Sequence, residues 1–411
     1  MITNWIGNIV NYYRIRRINE KEKGVEQFKS ITTDVLFPPG SCGENIIISG
    51  GDIGQRLRFS ERIIENSHVQ GRPMIVLHLA NSGLENIIVR NNWGVVVNRQ
   101  NKKFDAFTSF NLQEICQVVL DTCKSRYDIR PEGRYILQAV HELLACKKIR
   151  PYFSNFADFP YPQLDVKIND CLTSGLITQD TNDNLVSLNG MGQHERNKID
   201  TFFYDMKAQI NHIATDDANS TGGISILSAI KNGKILCIDL NSSANVMLVE
   251  LIVNSLNIAM RRGIEFTLFL DDVPIANNEM LKNTLCQRSR HNNIICSKDL
   301  YAMLSGNNDA FTTITGLAET TVLSSHGSHI SCEKWSKYIG EYDKIDVSQN
   351  RNAGWGHRGF NTSKGQTMTY KREYRVKPEQ INCLFQGVII KYNKIIHNNQ
   401  TGALIHTKKV L

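Results

Sequence analysis

The sequence predicts an α/β protein with a mostly parallel sheet, covered by helices and interrupted by an all-helical insertion. Apolar runs of strand length alternate with segments of helical spacing, which is typical of such sheets. Between about residues 126 and 214 only helical spacing occurs. A glycine-rich turn and a distant pair of aspartates each follow a strand-like run, where open α/β sheets bind ligands.

The composition excludes several classes of protein. The 411 residues are 41% hydrophobic and 21% charged, as in globular chains. No window approaches the roughly 18 consecutive apolar residues of a membrane span. Ten cysteines without a CxxC pair predict a reducing, cytoplasmic setting and neither zinc nor disulfides. A net charge of +7 permits nucleic-acid binding without requiring it.

Residues 1–25 form a separate N-terminal segment. The stretch MITNWIGNIVNYYRIRR has apolar and aromatic positions followed by three arginines, but no signal-peptide pattern. It predicts a short amphipathic helix. Such a helix either lies peripherally on the anionic inner face of the cell membrane or docks onto the protein's own core or a partner. Docking is the commoner use, and both roles stay open.

The first part of the core spans residues 26–125. Short runs rich in isoleucine and valine indicate its strands. These are predicted at NIIIS (45–49), PMIVLHL (73–79), NIIVR (86–90) and GVVVN (94–98).

The insertion spans residues 126–214. Three segments within it carry apolar residues at three- and four-residue spacing, and a fourth precedes it. The four helices are predicted at 111–123, 134–146, 164–176 and 194–213. Its aromatic residues either recognise a partner at the surface or pack the insertion's own core; they are Tyr152, Phe153, Phe156, Phe159 and Tyr161.

The second part of the core spans residues 215–411, where the sheet pattern resumes. Strands are predicted at 234–240, 264–273, 292–296, 320–325 and 387–392. Helices are predicted at 244–263, through NEMLKNTLCQRSR, and near 332–340. The polar, glycine-rich stretch 351–369 is predicted to be a mobile loop.

The strongest chemical signal is FTLFLDDVP. A buried strand that ends in two acids delivers carboxylates to the carboxyl edge of a parallel sheet. In nucleotide-hydrolysing proteins Asp271 would hold a magnesium-bound water and Asp272 would polarise the attacking water. The alternative is a pair of acids that caps a turn.

The glycine-rich turn is the second element of this candidate site. Against the phosphate-loop pattern G-x-x-x-x-G-K-[ST], Gly51 and Gly54 take glycine positions. Arg56 replaces the last glycine, Leu57 the lysine and Arg58 the hydroxyl residue. A helix N-terminus still attracts an anion, and two arginines can grip a phosphate. The predicted nucleotide-binding residues are Gly50, Gly51, Asp52, Gly54, Gln55, Arg56, Arg58 and Lys298.

From about Asn45 onward, the chain resembles the type IV secretion coupling proteins of the TraG/TraD type. The resemblance rests on the order of five segments: the glycine turn, the helical insertion, the stretch LFLDDVPIANNEMLKNTLCQRSRHNNIIC, the run TTVLSSHGS with its WSKYIG helix, and YKREYRVKPEQINCLFQGVIIKY. It implies a RecA-like P-loop core with an inserted all-α domain. It also implies ATP and Mg²⁺ as cofactors, and Arg288 or Arg290 facing a neighbouring subunit's phosphates.

The departures from this pattern shape the functional prediction. The loop lysine and hydroxyl are absent, Asp272 stands in place of a glutamate, and Ser297 and Lys298 replace the sensor glutamine. We therefore expect a catalytically impaired, coupling-protein-like subunit that docks DNA or substrate in a conjugation or type IV secretion system. The alternatives are an active, divergent ATP-driven DNA translocase and a non-catalytic regulator that binds nucleotide or DNA.

The partners implied are non-specifically bound, single-stranded DNA, relaxosome or secretion-channel proteins, and other subunits of a homo- or hetero-oligomeric ring. DNA contacts would use the ring interior or basic clusters such as Arg261–Arg262, Arg288–Arg290 and Arg351–His357–Arg358, and solvated surface charge is the alternative. His326 and His329 have no ligand-spaced partner and are interpreted as ordinary loop residues.

Overall fold

The computed structural model describes residues 2–124, 126–215, 223–242, 245–276, 278–287, 291–356, 359–393 and 404–411. In chain order its strands are β1 (Val25–Phe28), β2 (Ile46–Ser49), β3 (Met74–His78), β4 (Gly94–Val97), β5 (Ile235–Asp239), β6 (Phe266–Asp271), β7 (His291–Ser297), β8 (Thr320–Leu323), β9 (Glu341–Gly356), β10 (Gly359–Tyr374), β11 (Val388–Tyr392) and β12 (Leu404–Thr407).

The helices occupy both core parts and the insertion. They are α1 (Ile2–Lys23), α2 (Thr33–Leu36), α3 (Ile53–Val69), α4 (Ser82–Arg90), α5 (Leu112–Cys123), α6 (Gly133–Cys146), α7 (Phe153–Ala157), α8 (Leu164–Thr173), α9 (Gln179–Gly192), α10 (Arg196–Ile210), α11 (Ile226–Lys231), α12 (Val246–Arg261), α13 (Glu279–Cys286), α14 (Leu300–Met303), α15 (Asn308–Leu317), α16 (His329–Ile339) and α17 (Pro378–Asn382).

Ten strands form one sheet in the order β1-β12-β11-β8-β2-β7-β6-β3-β5-β4. All strands from β8 to β4 in this order run parallel. β11 is antiparallel to both of its neighbours, and β1 pairs in parallel with β12. The prediction of an α/β fold with a mostly parallel sheet is confirmed.

The central strands are buried on both faces, which explains their continuous apolar sequences. In β2, Ile46 and Ile48 join a core with Phe59 and Ile63 of α3 on one face. Ile47 points to the other face and joins the larger core that also holds the helices of the insertion. This period of two places successive side chains of each strand in different layers.

The aromatic residues of the insertion pack inside it. Phe153, Phe156 and Tyr161 are fully or almost fully buried. Tyr161 stacks on Phe203 of α10 with ring centroids 5.5 Å apart, and Phe107 packs edge-on against Phe156. For these three residues the structure supports core packing, whereas Tyr152 and Phe159 are only half-buried.

The predicted strand NIIVR is wrong, because residues 86–90 belong to helix α4. The side chain of Asn81 accepts a hydrogen bond from the Leu84 backbone N–H and caps this helix. Leu84 and Ile88, four residues apart, are buried on one helix face. Burial of that face outweighs the strand preference of a run rich in isoleucine and valine.

The predicted mobile loop at 351–369 is also wrong. β9 and β10 pair in antiparallel register from Glu341–Tyr374 at the base to Gly356–Gly359 near the tip. Backbone hydrogen bonds between the two strands stabilise this ribbon, although its sequence is polar and rich in glycine.

Helix α1 is 22 residues long, which exceeds the short helix predicted. It lies beside the ribbon: the Asn19 amide donates to the Ile345 carbonyl (3.0 Å) and accepts from the Ile345 N–H (2.9 Å). The last part of α1 thus contacts the ribbon, and the membrane role of the segment stays a prediction. Within the described ranges, no helix has both the length and the apolar character needed to cross a bilayer.

Candidate functional site

The glycine-rich turn and the aspartate pair lie at the same edge of the sheet. The turn follows β2 and the aspartates end β6, and β7 lies between these two parallel strands. Two successive carbonyls of β7 accept hydrogen bonds from the two motifs. Ser297 O accepts from Gly50 N–H (3.0 Å), and Cys296 O accepts from Asp272 N–H (2.9 Å). The topology therefore brings together two motifs that are distant in sequence.

The turn needs glycine at its first two positions. Gly50 and Gly51 have φ values of +91° and +79°, a region that glycine adopts without a steric penalty. A Cβ atom on Gly50 would lie 2.7 Å from the His326 ring and from the Ser324 carbonyl oxygen. Close packing against the segment after β8 thus accounts for this glycine.

Helix α3 begins at Ile53, directly after a short turn. Asp52 caps it, because its Oδ1 accepts from the Gln55 N–H at 2.7 Å. Gly54, Gln55, Arg56 and Arg58 therefore belong to the first helical turns and do not extend the loop. This differs from the phosphate-loop register inferred from sequence.

Several N–H groups of the turn and the helix start donate to the protein itself. Gly51 N–H donates to the Ser325 carbonyl (2.9 Å), and Arg56 N–H donates to the Asp52 carbonyl (3.1 Å). The N–H groups of Gly50 and Gln55 also donate to oxygen atoms of the protein, so all four of these groups already have a partner. A phosphate loop relies on such groups to surround its ligand.

Arg56 joins the turn to the acidic strand. Its side chain is 10% exposed. Nη1 donates to the Gly51 carbonyl (3.0 Å), and Nη2 donates to Asp272 Oδ2 (2.9 Å). The other oxygen of Asp272 accepts from the Lys298 N–H at 2.7 Å. Both carboxylate oxygens of Asp272 are therefore bound to protein groups.

Asp271 is buried and is held by Asn81, whose Nδ2 donates to Oδ2 at 2.6 Å. Burial raises the pKa of Asp271, and the charge of Asp272 raises it further. The Asn81 hydrogen bond and the charge of Arg56 oppose this shift. A metal ligand must be deprotonated, so a raised pKa weakens cation binding. Among the described residues, no three His, Cys, Asp or Glu side chains are grouped to hold a metal ion.

The remaining predicted residues contribute less or are not described. Lys298 is exposed and acts at this edge through its backbone N–H. Arg58 lies on α3 with an exposed side chain. Arg288 and Arg290, predicted to face a neighbouring subunit, lie outside the described residues.

His326 was interpreted as an ordinary loop residue, but the structure places it beneath the turn. Its Nδ1 is 2.8 Å from the Ser324 carbonyl, which can only accept, so this nitrogen carries the proton. Nε2 then accepts from Ser49 Oγ at 2.9 Å. Burial lowers the pKa of His326 and favours this neutral form. The sequence gives no signal for this pair, because Ser49 ends β2 whereas His326 follows β8, 277 residues later.

A second cluster orients Asn81. His78, at the end of β3, is fully buried, and its Nδ1 accepts from the Asn81 N–H at 3.0 Å. Asp239, at the end of β5, accepts from the N–H groups of Ala80 (2.9 Å) and Asn241 (2.8 Å). Burial lowers the pKa of His78 to about 4, so the imidazole is neutral at physiological pH. These bonds hold the turn that presents Asn81 to Asp271.

The comparisons with known proteins show the fold. No protein-family model matches the chain, and no curated protein matches it. Among solved structures, the unbound bacterial conjugative coupling protein TrwB aligns over 96% of this chain and 90% of its own, with a TM-score of 0.54 and 15% identity.

A structure of TrwB with a non-hydrolysable GTP analogue aligns over 94% of this chain and 91% of its own, with a TM-score of 0.51 and 14% identity. TrwB with ADP and Mg²⁺ aligns over 95% and 91%, with a TM-score of 0.50 and 13% identity. The chain thus has the fold of a type IV coupling protein, which confirms the RecA-like P-loop prediction.

Proposed function

We propose that the chain is a coupling-protein-like component of a conjugation or type IV secretion apparatus, in which it docks DNA or a protein substrate without efficient ATP hydrolysis. The TrwB-like fold supports the first half of this proposal, since the solved relatives are conjugative coupling proteins. In this proposal it acts in the cytoplasm as a platform or as an inactive subunit of a mixed ring, next to relaxosome or channel proteins.

The single observation that carries the impaired-catalysis half is the Arg56 bridge. Its guanidinium is bonded to the Gly51 carbonyl and to Asp272 at once. In the proposed family role, Asp272 would polarise the attacking water, and that water needs a carboxylate oxygen to accept its proton. An internal arginine and a backbone N–H already donate to those oxygens, one bond to each, and so compete with such a water.

The residues present also fit Mg²⁺–ATP poorly. The lysine and hydroxyl that contact the β/γ-phosphates and Mg²⁺ are missing. Four backbone donors of this region, the N–H groups of Gly50, Gly51, Gln55 and Arg56, bond to carbonyls and to the Asp52 carboxylate. We therefore derive no hydrolytic step at this edge.

ATPase assays of the purified protein, with and without single-stranded DNA, test the proposal. We expect turnover no greater than that of Asp271→Ala under the same conditions. Turnover that depends on Asp271 would overturn the impaired-catalysis half. It would favour the divergent translocase, in which Arg58 replaces the lysine because Arg56 is already engaged. In that case Arg58→Ala would abolish the turnover.

One observation favours a second candidate, a regulator that binds a small ligand without turnover. The buried amide of Gln55 and the buried hydroxyls of Ser297 and Ser324 have no hydrogen-bond partner in the structure. Buried polar groups of this kind are normally satisfied by water or a polar ligand. Thermal stabilisation by ATP, ADP or GTP without hydrolysis would support this candidate, because a ligand that binds only the native state raises its stability.

A further inference from the structure

A cavity of about 300 Å³ opens at the amino edge of the sheet, at the opposite end of the strands from the candidate site. The first residues of β2 and β8, Ile46 and Thr320, line it from the side of the sheet, together with Tyr392 at the end of the antiparallel β11. Its volume lies at the lower end of the range of about 300–1,000 Å³ that is typical of small-molecule sites. The cavity is therefore large enough for a small organic ligand.

Residues 31–44 cover the cavity from the other side, and hydrogen bonds fix their position. Asn66 of α3 is buried, and its Nδ2 donates to the Phe37 carbonyl at 3.1 Å. Near the start of the cover, the Leu411 N–H donates to the Ile31 carbonyl at 2.8 Å. Because the cover is bonded to α3 and to the C-terminal residue, the cavity is preformed, as ligand sites usually are.

Most of the wall is apolar. Its apolar residues include Ile31, Leu36, Phe37, Pro38, Ile46 and Ile405. Val35 also lines the cavity and is 56% exposed, so this side of the cavity borders solvent. A wall of this kind favours a ligand with a hydrocarbon part, because binding removes apolar surface from water.

The charged residues among the described ones that line the cavity are both acids, Asp34 and Glu44. Asp34 lies at the rim with a 70% exposed side chain, and its Oδ1 is 3.1 Å from Arg62 Nε. Glu44 is half-buried, and Thr320 Oγ1 donates to its Oε2 at 3.3 Å. Burial raises the pKa of Tyr392 to about 12, and the charge of Glu44 contributes to this shift. Tyr392 thus stays neutral, and Glu44 is the anion next to the apolar wall.

We propose that this cavity binds a small apolar cation, an alkyl- or arylammonium ion, whose hydrocarbon part contacts the apolar wall and whose ammonium group pairs with Glu44. Hydrogen bonds between ionised groups are stronger than those between neutral ones, and an ammonium group supplies three donors. An anionic ligand would be repelled by both acids, and a neutral ligand would gain no charge attraction from them. The inference goes beyond the proposed function, because no residue of the candidate site lines this cavity.

Ligand-detected NMR titrations of the full chain with three probes of similar shape test the inference. The probes are phenethylammonium, the neutral phenethyl alcohol and the anionic phenylacetate. We expect phenethylammonium to bind about tenfold more tightly than the alcohol, and phenylacetate to bind most weakly. Glu44→Gln should weaken phenethylammonium binding about tenfold and leave the affinity for the alcohol unchanged.

Two further variants locate the binding and provide its control. Ile405→Trp enlarges a side chain of the wall and should abolish the binding of all three probes. Glu65→Gln is the matched control, since Glu65 also bonds to Arg62 but does not line the cavity. Glu65→Gln should bind phenethylammonium as the unaltered protein does. Thermal melting checks the folding of each variant, and Val35→Trp at the rim replaces Ile405→Trp if the latter is unfolded.

Several outcomes would overturn the inference. Equal affinities for phenethylammonium and the alcohol, or tighter binding of phenylacetate, would reject a cation as the ligand. Equal losses in Glu44→Gln and Glu65→Gln would indicate diffuse charge attraction. Binding that persists in the folded tryptophan variant would lie outside the cavity, and no saturable binding of any probe would reject the site. Each of these results leaves the ATPase comparison with Asp271→Ala as a separate test of the proposed function.

Discussion

Restoring the missing phosphate-loop residues should not restore ATP hydrolysis. The variant Arg56→Gly, Leu57→Lys, Arg58→Thr gives residues 51–58 the pattern G-x-x-x-x-G-K-T. If sequence alone limited catalysis, this change would create an active site. The structure predicts otherwise, because α3 begins at Ile53 and already includes all three positions.

The cost to stability follows from the contacts of Arg56. Its removal takes away a hydrogen bond to a charged carboxylate and one to the Gly51 carbonyl. The first contributes about 1.5–3 kcal/mol in buried settings, and the exposure of Asp272 places this pair at the lower end. Glycine inside a helix costs about 1 kcal/mol more. We expect Arg56→Gly alone to lower the free energy of unfolding by about 3 kcal/mol, and the loss of the half-buried Leu57 side chain adds to this.

Two assays test this reasoning, and a single substitution provides its control. Urea titration followed by tryptophan fluorescence gives the change in unfolding free energy. A coupled ATPase assay measures turnover. Arg58→Thr alone changes an exposed side chain and should shift stability by no more than about 0.5 kcal/mol. Turnover by the triple variant that is lost on adding Asp271→Ala would refute the argument, as would unchanged stability.

Two further predictions follow from the same edge. Gly50→Ala should destabilise the protein by about 2–3 kcal/mol in thermal or urea unfolding, because its Cβ would lie 2.7 Å from the His326 ring and the Ser324 carbonyl. Gly71→Ala, also at positive φ but with no atom within 4 Å, should cost only about 1 kcal/mol, and equal costs would contradict the steric explanation. The folded-state pKa of His78 is lowered to about 4, so its unfolded form takes up a proton first as the pH falls below about 6.5. The stability that His78 contributes is thus complete above about pH 6.5 and is lost towards pH 4. His78→Gln should remove up to about 3 kcal/mol of this acid dependence, and parallel pH profiles would refute the assignment.

Sequence patterns were sufficient for the sheet and for the convergence of its two motifs. Strands that are buried on both faces appear in the sequence as apolar runs. These runs alone were enough to locate β2, β3, β5, β6 and β7. The order of segments then implied that the glycine turn and the aspartates meet at one edge. The local pattern gave the wrong element for NIIVR, which was predicted as a strand and forms part of helix α4. Which of its side chains are buried depends on tertiary packing and not on the run itself.

The ribbon and the fine structure of the site were beyond such reasoning. Most positions of β9 and β10 are polar, glycine or threonine, so no apolar alternation marks them as strands. Arg56 and Asp272 were both assigned to the site, but nothing in the sequence indicated that they bond to each other. Asn81 lies in a loop that no predicted motif included, and His326, although it belongs to the run TTVLSSHGS, reaches the edge only through the fold.

The position of β7 has a mechanical consequence. Two consecutive peptide groups on this one strand anchor opposite walls of the edge, one through Gly50 and the other through Asp272. A lengthwise slide of the strand would displace both walls together and in the same direction. A displacement of β7 would therefore move the Gly50 turn and the two aspartates together.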